Sequence, residues 1–559
     1  MREHFSIGID FGTLSARAIL IDVDTGREVV TSIYGYQDSV IDKYLPDSNV
    51  KLPPEFALQN PLDYKDALEA LLKDIWKKAD IPPEDIISIG VDFTSCTVIP
   101  VDKNMQPLCC NEKYRNNPHS WAKLWKHHGA QAEADLINQT ARSRGEEFMR
   151  HYGNTSSSEW YFAKLIETFN KAPEVYRATY KFVEAGDWVV WLMTGKLTTS
   201  TCMAGYKAFW NEKNGYPSEE FFASINPALR GITQKTVSDV YTVGSRAGGL
   251  CPSMAKLTGL AEGTAVAVSV IDAHAAMPVV GVTQGSSLMM TAGTSLCHIL
   301  VSEEEVFTDG ICGVVKDGVL PGYYGYEAGQ PAVGDIYEWF INNFVSSECI
   351  EEANEKDVSV FSVMDKKAEK LRPGESGLLA LDWWNGNRSM LNNSNLSGVI
   401  LGLTLSTTPE SVYRALIEST AFGTRNIIES MEKHGVKIEH IYACGGLSRK
   451  SSFVMQTFCD VLGREIAVTG ITQTTAYGAA IYGMVAAGKD RGGFDTFSEA
   501  TQKLCGNPSK IFIPDMENHR VYEMLFEKYM FLNDLFGIEH KEIMTSLKEL
   551  REAQRKDAH

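Results

Sequence analysis

Residues 7–18 read IGIDFGTLSARA. An apolar run ends on Asp10, Gly12-Thr13 opens a turn, and a second apolar run, ARAILIDVDTG, follows to the turn residues Asp24-Thr25-Gly26. The pattern predicts a β-hairpin. Glycine at position 12 lacks the Cβ that would keep a phosphate from the turn's N–H groups. Thr13 and Ser15 add hydroxyl donors and Arg17 adds a cation. Taken alone, the segment also describes an ordinary hairpin with a solvated aspartate. Residues 291–301, TAGTSLCHILV, repeat the design: Gly293-Thr294, the hydroxyl of Ser295, then an apolar strand. Two such units about 280 residues apart predict two similar lobes facing each other.

Outward from these hairpins the chain alternates strands and helices. Leu68, Leu71, Leu72 and Trp76 recur at helical spacing over 61–78. IISIGVDFTSCTVIPVD (86–102) reads as strand, polar turn, strand. Before PESVYRALIESTAFG, Thr408 suits an N-cap and Pro409 the first helical position; Gly435 suits the residue past the end. A strand HIYACGG (440–446), a helix SFVMQTFCDVLG (452–463) and a Gly/Ala-rich helix TTAYGAAIYGMVAAG (474–488) follow. The small residues of the last permit close helix packing. Amphipathic, then charged, helix is expected from Asn518, with KELREAQRKDAH (548–559) solvated or frayed. The fold class is α/β.

A chain of 559 residues exceeds one core, so two domains are expected, 1–283 and 284–559. A net charge of −18 argues against nucleic acid or anionic membrane as the main partner. It does not exclude nucleotide, which backbone N–H groups and a metal ion can hold locally. The eleven cysteines include no Cys-x-x-Cys, which fits reduced thiols better than a disulfide or zinc framework. No apolar leader precedes the first strand. The uncharged stretch 273–302 is punctuated by Gly, Ser, Thr and Gln, and reads as buried strands and turns. A soluble, cytoplasmic protein is expected. Neither a Walker A motif nor the protein-kinase signatures occur.

Asp-x-Gly-Thr-x-Ser after an N-terminal strand resembles the first phosphate motif of the superfamily containing sugar kinases, actin and heat-shock chaperone ATPases. TAGTS resembles its second phosphate motif, and YACGGLSRK (442–450) is similar to its adenosine motif. VSVIDAHAAMPVVGV (268–282) narrows the likeness to the FGGY carbohydrate kinases, whose catalytic base sits in such a context. Read locally, Asp272 is equally a helix N-cap. GVILGLTLSTTPESVYRALIE (398–418) resembles the second FGGY signature but carries Ser411 where an acidic or amide residue is usual.

The resemblance implies two actin/hexokinase-like (ribonuclease H-like) lobes with a central ATP/sugar cleft. It implies Gly12, Thr13, Ser15, Arg17, Gly293, Thr294, Gly334, Gly445, Gly446 and Lys450 as ATP contacts. Mg²⁺ would lie at Asp10 and Asp272, with Asp272 as base. LPPEFALQNPLDY (52–64), GVDFTSCTVIP (90–100) and PHSWAKLWKHHGAQAEAD (118–135) resemble members that phosphorylate L-ribulose at the 5-hydroxyl in L-arabinose catabolism. By that likeness the ketose contacts the loop 94–96 through Ser95, with Lys207 in AGYKAFW, Asp272, and Glu327 in GYEAGQ. Lys207 also fits a solvated surface lysine, and Glu327 a partnered loop carboxylate. Trp121, Trp125 and Trp210 are candidates for apolar walls or core. His274 reads as packing around the site, not a metal ligand. A homodimer is also implied. The alternatives are a kinase for D-ribulose, xylulose or ribitol, or a nucleotide-dependent scaffold.

Overall fold

The computed structural model describes residues 3–282 and 284–556. The predicted hairpin is present: Phe5–Phe11 pairs antiparallel with Ser15–Asp22. The Asp24–Gly26 turn then delivers a third strand, Glu28–Gly35, so the hairpin is the start of a meander. Phe5–Phe11 also pairs in parallel with Ile86–Phe93, which pairs in parallel with Ala265–Ala267, and Arg246–Gly249 closes the edge antiparallel.

The second sheet repeats this order. Tyr324–Gln330, Leu296–Ser302 and Ser287–Ala292 form the antiparallel meander. His440–Cys444 and Ile466–Val468 continue it in parallel, and Lys510–Phe512 closes it antiparallel. Gly12 N–H donates to the Ser15 carbonyl, and Gly293 N–H to the Ser295 carbonyl, both at 3.0 Å. The echo in the sequence is therefore one hairpin used at the same place in two sheets. The expected domain boundary falls on residue 283, outside the described residues.

The helices follow their local signals. Pro61–Ala79 starts at an Asn60 cap. Pro409–Lys433 is capped by Thr408, whose side chain accepts the Ser411 N–H, and Gly435 follows with φ of 97°. Ser411 Oγ lies 3.0 Å from Thr408 Oγ1, so the departure from the FGGY pattern completes this cap. The charged end is helical over Glu542–Lys556, with Leu547 and Leu550 exposed to solvent, and residues 557–559 lie outside the described ones.

The Gly/Ala-rich helix Thr474–Ala487 belongs to the second lobe by sequence but packs mainly on the first lobe's sheet. The close approach serves strands more than another helix. In-register columns Ser6–Gly8–Asp10 and Ser88–Gly90–Asp92 face it. A Cβ on Gly8 would lie 1.8 Å from the Ala476 carbonyl oxygen, and one on Gly90 1.7 Å from that of Ala479. Ser6 Oγ donates to the Ala480 carbonyl at 3.1 Å. Among the described residues no helix is long and apolar enough to cross a membrane.

Gly90→Ala is therefore expected to lower the urea unfolding midpoint by the equivalent of about 1–3 kcal/mol or more. Gly35→Ala, where nothing lies within 4 Å of the added methyl, should change it by less than about 0.5 kcal/mol.

Candidate active site

The parallel register places Asp10 directly beside Asp92, and Asp92 beside Val270, two residues before Asp272. Three carboxylates thus gather where three strands of the first lobe end. Asp10 Oδ2 accepts the Thr475 hydroxyl at 3.0 Å, at the start of the Gly/Ala-rich helix. Asp272 begins the helical turn Asp272–Ala275, and its Oδ1 accepts the Ala273 N–H at 2.6 Å. Burial, with the Asp10 charge adding to it, pushes the Asp272 carboxyl up to about 7. Asp92 is fully buried, and neither of its oxygens has a hydrogen-bond partner among the described residues. Burial first, then the charges of Asp10 and Asp272, hold its carboxyl well above the usual range.

Asp92 is a site residue that sequence reasoning missed. Its signal was present: FSIGIDF (5–11) and ISIGVDF (87–93) are near-repeats that become neighbouring strands.

The first Gly-Thr turn follows Asp10 in the chain, and the second is its equivalent in the other sheet. Thr13 Oγ1 accepts the Trp125 indole N–H at 3.1 Å, which leaves its own hydroxyl proton free to donate, and Gln59 Nε2 donates to the Thr13 carbonyl at 2.6 Å. Ser15 lies half-buried at the start of the next strand. Arg17 shares the rung of Asp10 and donates to Gln473 Oε1 at 2.7 Å, so its guanidinium spans the lobes. Thr294 is exposed, and the second turn is seated by Val333 N–H donating to the Thr294 carbonyl at 2.8 Å. Gly334 lies behind that turn, where a Cβ would be 2.5 Å from the Gly293 carbonyl oxygen. Gly445, with φ of 94°, packs as closely on Ala292. A Cβ on Gly446 would meet nothing within 4 Å, and one on Gly293 only the Ser295 carbonyl oxygen at 3.9 Å. Those two positions face open space that a ligand can enter. Lys450 ends the short helix Gly446–Lys450 and is exposed. The two turns approach one helix start: Thr475 donates to Asp10, while Thr474 lies near the Cys444 thiol, which is 3.5 Å from Thr291 Oγ1.

The remaining predicted residues meet across the lobes. Lys207 Nζ of the first lobe lies 2.7 Å from Glu327 Oε1 of the second, with both side chains nearly buried. Lys207 is not a surface lysine. Its ammonium also sits 5.3 Å from the Trp160 ring centre, a contact unsuspected from sequence. His274 Nε2 is 3.4 Å from Glu327 Oε2, and its Nδ1 is 3.1 Å from Cys202 Sγ. Burial alone would raise Glu327, but the Lys207 charge and His274 outweigh it and hold the carboxyl well below its usual range. Burial lowers His274. Ser95 Oγ, on the loop after Phe93, has no partner among the described residues, and the Thr94 N–H donates to the Phe11 carbonyl at 3.3 Å, one residue from Gly12. Of the three tryptophans, Trp121 is core, Trp125 stands at the phosphate turn and Trp210 is half-buried.

Two lobes of one topology, each carrying a Gly-Thr hairpin turn, with a carboxylate cluster at the end of the first lobe's strands, define an actin/hexokinase-like phosphotransferase. Residues 5–278 match the N-terminal domain and residues 288–487 the C-terminal domain of the FGGY family of carbohydrate kinases. The chain belongs to that family. It is 50% identical over 555 residues, 99% of each chain, to a ribulokinase of Halalkalibacterium halodurans. It is 39% identical to one of Staphylococcus aureus, covering 98% of this chain and 99% of the relative. Among solved structures, a xylulose kinase from Rhodospirillum rubrum superposes with a TM-score of 0.79 at 21% identity, over 95% of this chain and 99% of that one. That likeness shows the fold.

Lys207→Met strands the Glu327 charge in a buried site, and breaking such a pair costs about 3–5 kcal/mol. Urea unfolding is expected to show a loss of that order, with the double variant Lys207→Met/Glu327→Met losing less than Lys207→Met alone.

Proposed function

We propose that the protein transfers the γ-phosphoryl group of ATP to the 5-hydroxyl of L-ribulose, giving ADP and L-ribulose 5-phosphate. The observation that carries this reading is the meeting of Asp272, beside Asp10, with the buried Lys207–Glu327 pair contributed by both lobes. The choice of sugar is supported by full-length relatives named ribulokinase at 39–50% identity.

In this reading the acceptor oxygen attacks the γ-phosphorus in line, the bond to ADP breaks, and the hydroxyl proton passes to the Asp272 carboxylate. A base that titrates near 7 suits proton transfer at neutral pH. The phosphates lie against Gly12-Thr13 and Gly293-Thr294, with Ser15 and Arg17 behind the first turn and Gly334 supporting the second. Adenosine lies along Gly445-Gly446 toward Lys450. Ser95, Lys207 and Glu327 orient the ketose: Ser95 offers an unpaired hydroxyl, Lys207 has N–H donors beyond the one given to Glu327, and Glu327 Oε2 accepts.

A divalent cation fits this site only as magnesium fits phosphate sites, on one or two carboxylates with water and substrate completing the shell. Among the described residues no group of three His, Cys, Asp or Glu could hold one alone. Asp10 and Asp272 are assigned to Mg²⁺, which would neutralise developing phosphate charge. A cytoplasmic location belongs to the same reading, supported by the free state of all eleven cysteines. So does a homodimer, supported by the exposed Leu401, Leu403 and Leu405 beside an edge strand.

Coupled ADP release across L-ribulose, D-ribulose, L- and D-xylulose, ribitol and glycerol tests the assignment. L-Ribulose should give the highest kcat/KM; another winner reassigns the sugar, and sugar-independent hydrolysis overturns the kinase reading. Asp272→Asn should lower kcat at least ~100-fold with ATP affinity little changed, since a general base supplies roughly 10²–10⁴ in rate. Near-full turnover would remove Asp272 as the base. Asp10→Ala should be more defective at low than at high Mg²⁺; an equal defect throughout excludes a metal role.

A further inference from the structure

The loop carrying Ser95 is held in a conformation it would not adopt freely. Cys96 has φ of 53°, in the region that disfavours residues with a Cβ. Its carbonyl accepts the Lys164 ammonium at 2.6 Å, and the same ammonium donates to the Leu124 carbonyl at 2.9 Å. Lys164 is 1% exposed, on the helix Tyr161–Lys171. That helix is fixed from the other side. Lys123 Nζ donates to the Lys164 carbonyl at 3.0 Å, to Glu167 Oε2 at 2.7 Å and to Thr168 Oγ1 at 2.7 Å. His127 Nε2 lies 2.9 Å from Glu167 Oε2.

The two carbonyls gripped by Lys164 belong to two different loops. Cys96 follows Ser95. Leu124 precedes Trp125, whose indole donates to the Thr13 hydroxyl in the first phosphate turn. Glu184 nearby is buried, with neither oxygen hydrogen-bonded among the described residues; burial, then the Asp187 charge, holds its carboxyl well above the usual range, and the Lys164 ammonium only partly opposes this. Packing alone does not explain an ammonium here. Methionine would fill the space without the desolvation cost of a buried cation. What methionine lacks is the pair of donors that fixes one loop against the other.

We propose that Lys164 is a positioning residue: it sets the Ser95 hydroxyl against the acceptor and ties that loop, through Leu124 and Trp125, to the phosphate turn. This rests on the sugar-kinase reading above, with Ser95 facing the sugar and Thr13 the phosphates. The phosphate turn keeps a second anchor, the Gln59 bond to the Thr13 carbonyl, so removal of Lys164 should act through the acceptor more than the nucleotide.

Steady-state kinetics on Lys164→Met, Ser95→Ala and the double variant test this. Ser95→Ala, a mild change expected to fold, should lower acceptor kcat/KM by about 3–10-fold, the range of one neutral hydrogen bond. Lys164→Met, which only misplaces that hydroxyl, should lower it by no more than about the same 3–10-fold, with ATP KM within ~3-fold of wild type. If Lys164 acts through Ser95, the double variant is no worse than Ser95→Ala; independent roles would multiply. A multiplicative double variant, or equal damage to both KM values, overturns the proposal. So does unchanged acceptor kinetics in Ser95→Ala, which stands even if Lys164→Met fails to fold. Wild-type protein with no sugar-dependent ADP release would instead sink the kinase reading itself.

Discussion

Backbone meets backbone where the helix Thr474–Ala487 lies on the first lobe's sheet, and the site is built on that contact. Gly8 and Gly90 present no side chain, so the helix comes in until its carbonyls occupy the space a Cβ would need. On its other flank Gly478 does the same against the Ala275 carbonyl oxygen, at 1.7 Å from a hypothetical Cβ. One helix thus fixes the strand ending at Asp10, the strand ending at Asp92 and the turn that begins with Asp272. Interiors are close-packed and transmit small displacements, so an added methyl at any of these glycines would shift carboxylates that have to converge. The helix also starts near the second sheet, with Thr474 close to Cys444, so it lies between the two Gly-Thr hairpins.

Charge divides the cleft into unlike halves. Around Asp10, Asp92 and Asp272 acidic groups crowd, and burial plus mutual repulsion raises the Asp92 and Asp272 carboxyls above the usual range. Around Lys207 and Glu327 the charges cancel within the protein, and Trp160 and His274 pack over the pair. The first half suits cationic or proton-transfer chemistry, and the second suits a neutral polyhydroxylated molecule that needs donors and acceptors in fixed places. The overall charge of −18 describes neither half. It reports the solvated surface, so composition argued against nucleic acid as the main partner but said nothing of how phosphate is held.

What could be read from the sequence was what is local. Gly12-Thr13 and Gly293-Thr294 announced equivalent hairpins because a turn's chemistry lies within a few residues. Thr408, Pro409 and Gly435 marked a helix for the same reason. Asp10 and Asp272 were found because each closes an apolar run. Asp92 closes one too, yet its meaning depends on lying beside Asp10 in the sheet, and strand neighbourhood is not a local property. Trp125 on Thr13, separated by 112 residues, and Lys164 on Cys96, separated by 68, are contacts of the same kind. The Gly/Ala pattern of residues 474–488 predicted close packing but not its partner, because small residues state only how near something may come.

The acceptor half is assembled from chain inserted between the core strands Ile86–Phe93 and Ala265–Ala267, plus one strand of the opposite lobe. Ser95, Trp160, Lys164 and Lys207 all come from that insertion, and Glu327 from Tyr324–Gln330. The Gly-Thr turns, by contrast, lie on the duplicated sheets themselves. Because Lys207 is held by Glu327 across the lobes, the acceptor pocket is complete only where the lobes touch. Parting them would break a buried ion pair and admit water to the phosphates in one movement. In the proposed reading, sugar recognition and exclusion of water are the same contact, so a lobe arrangement that fails to seat the ketose is also poorly built to spend ATP on water.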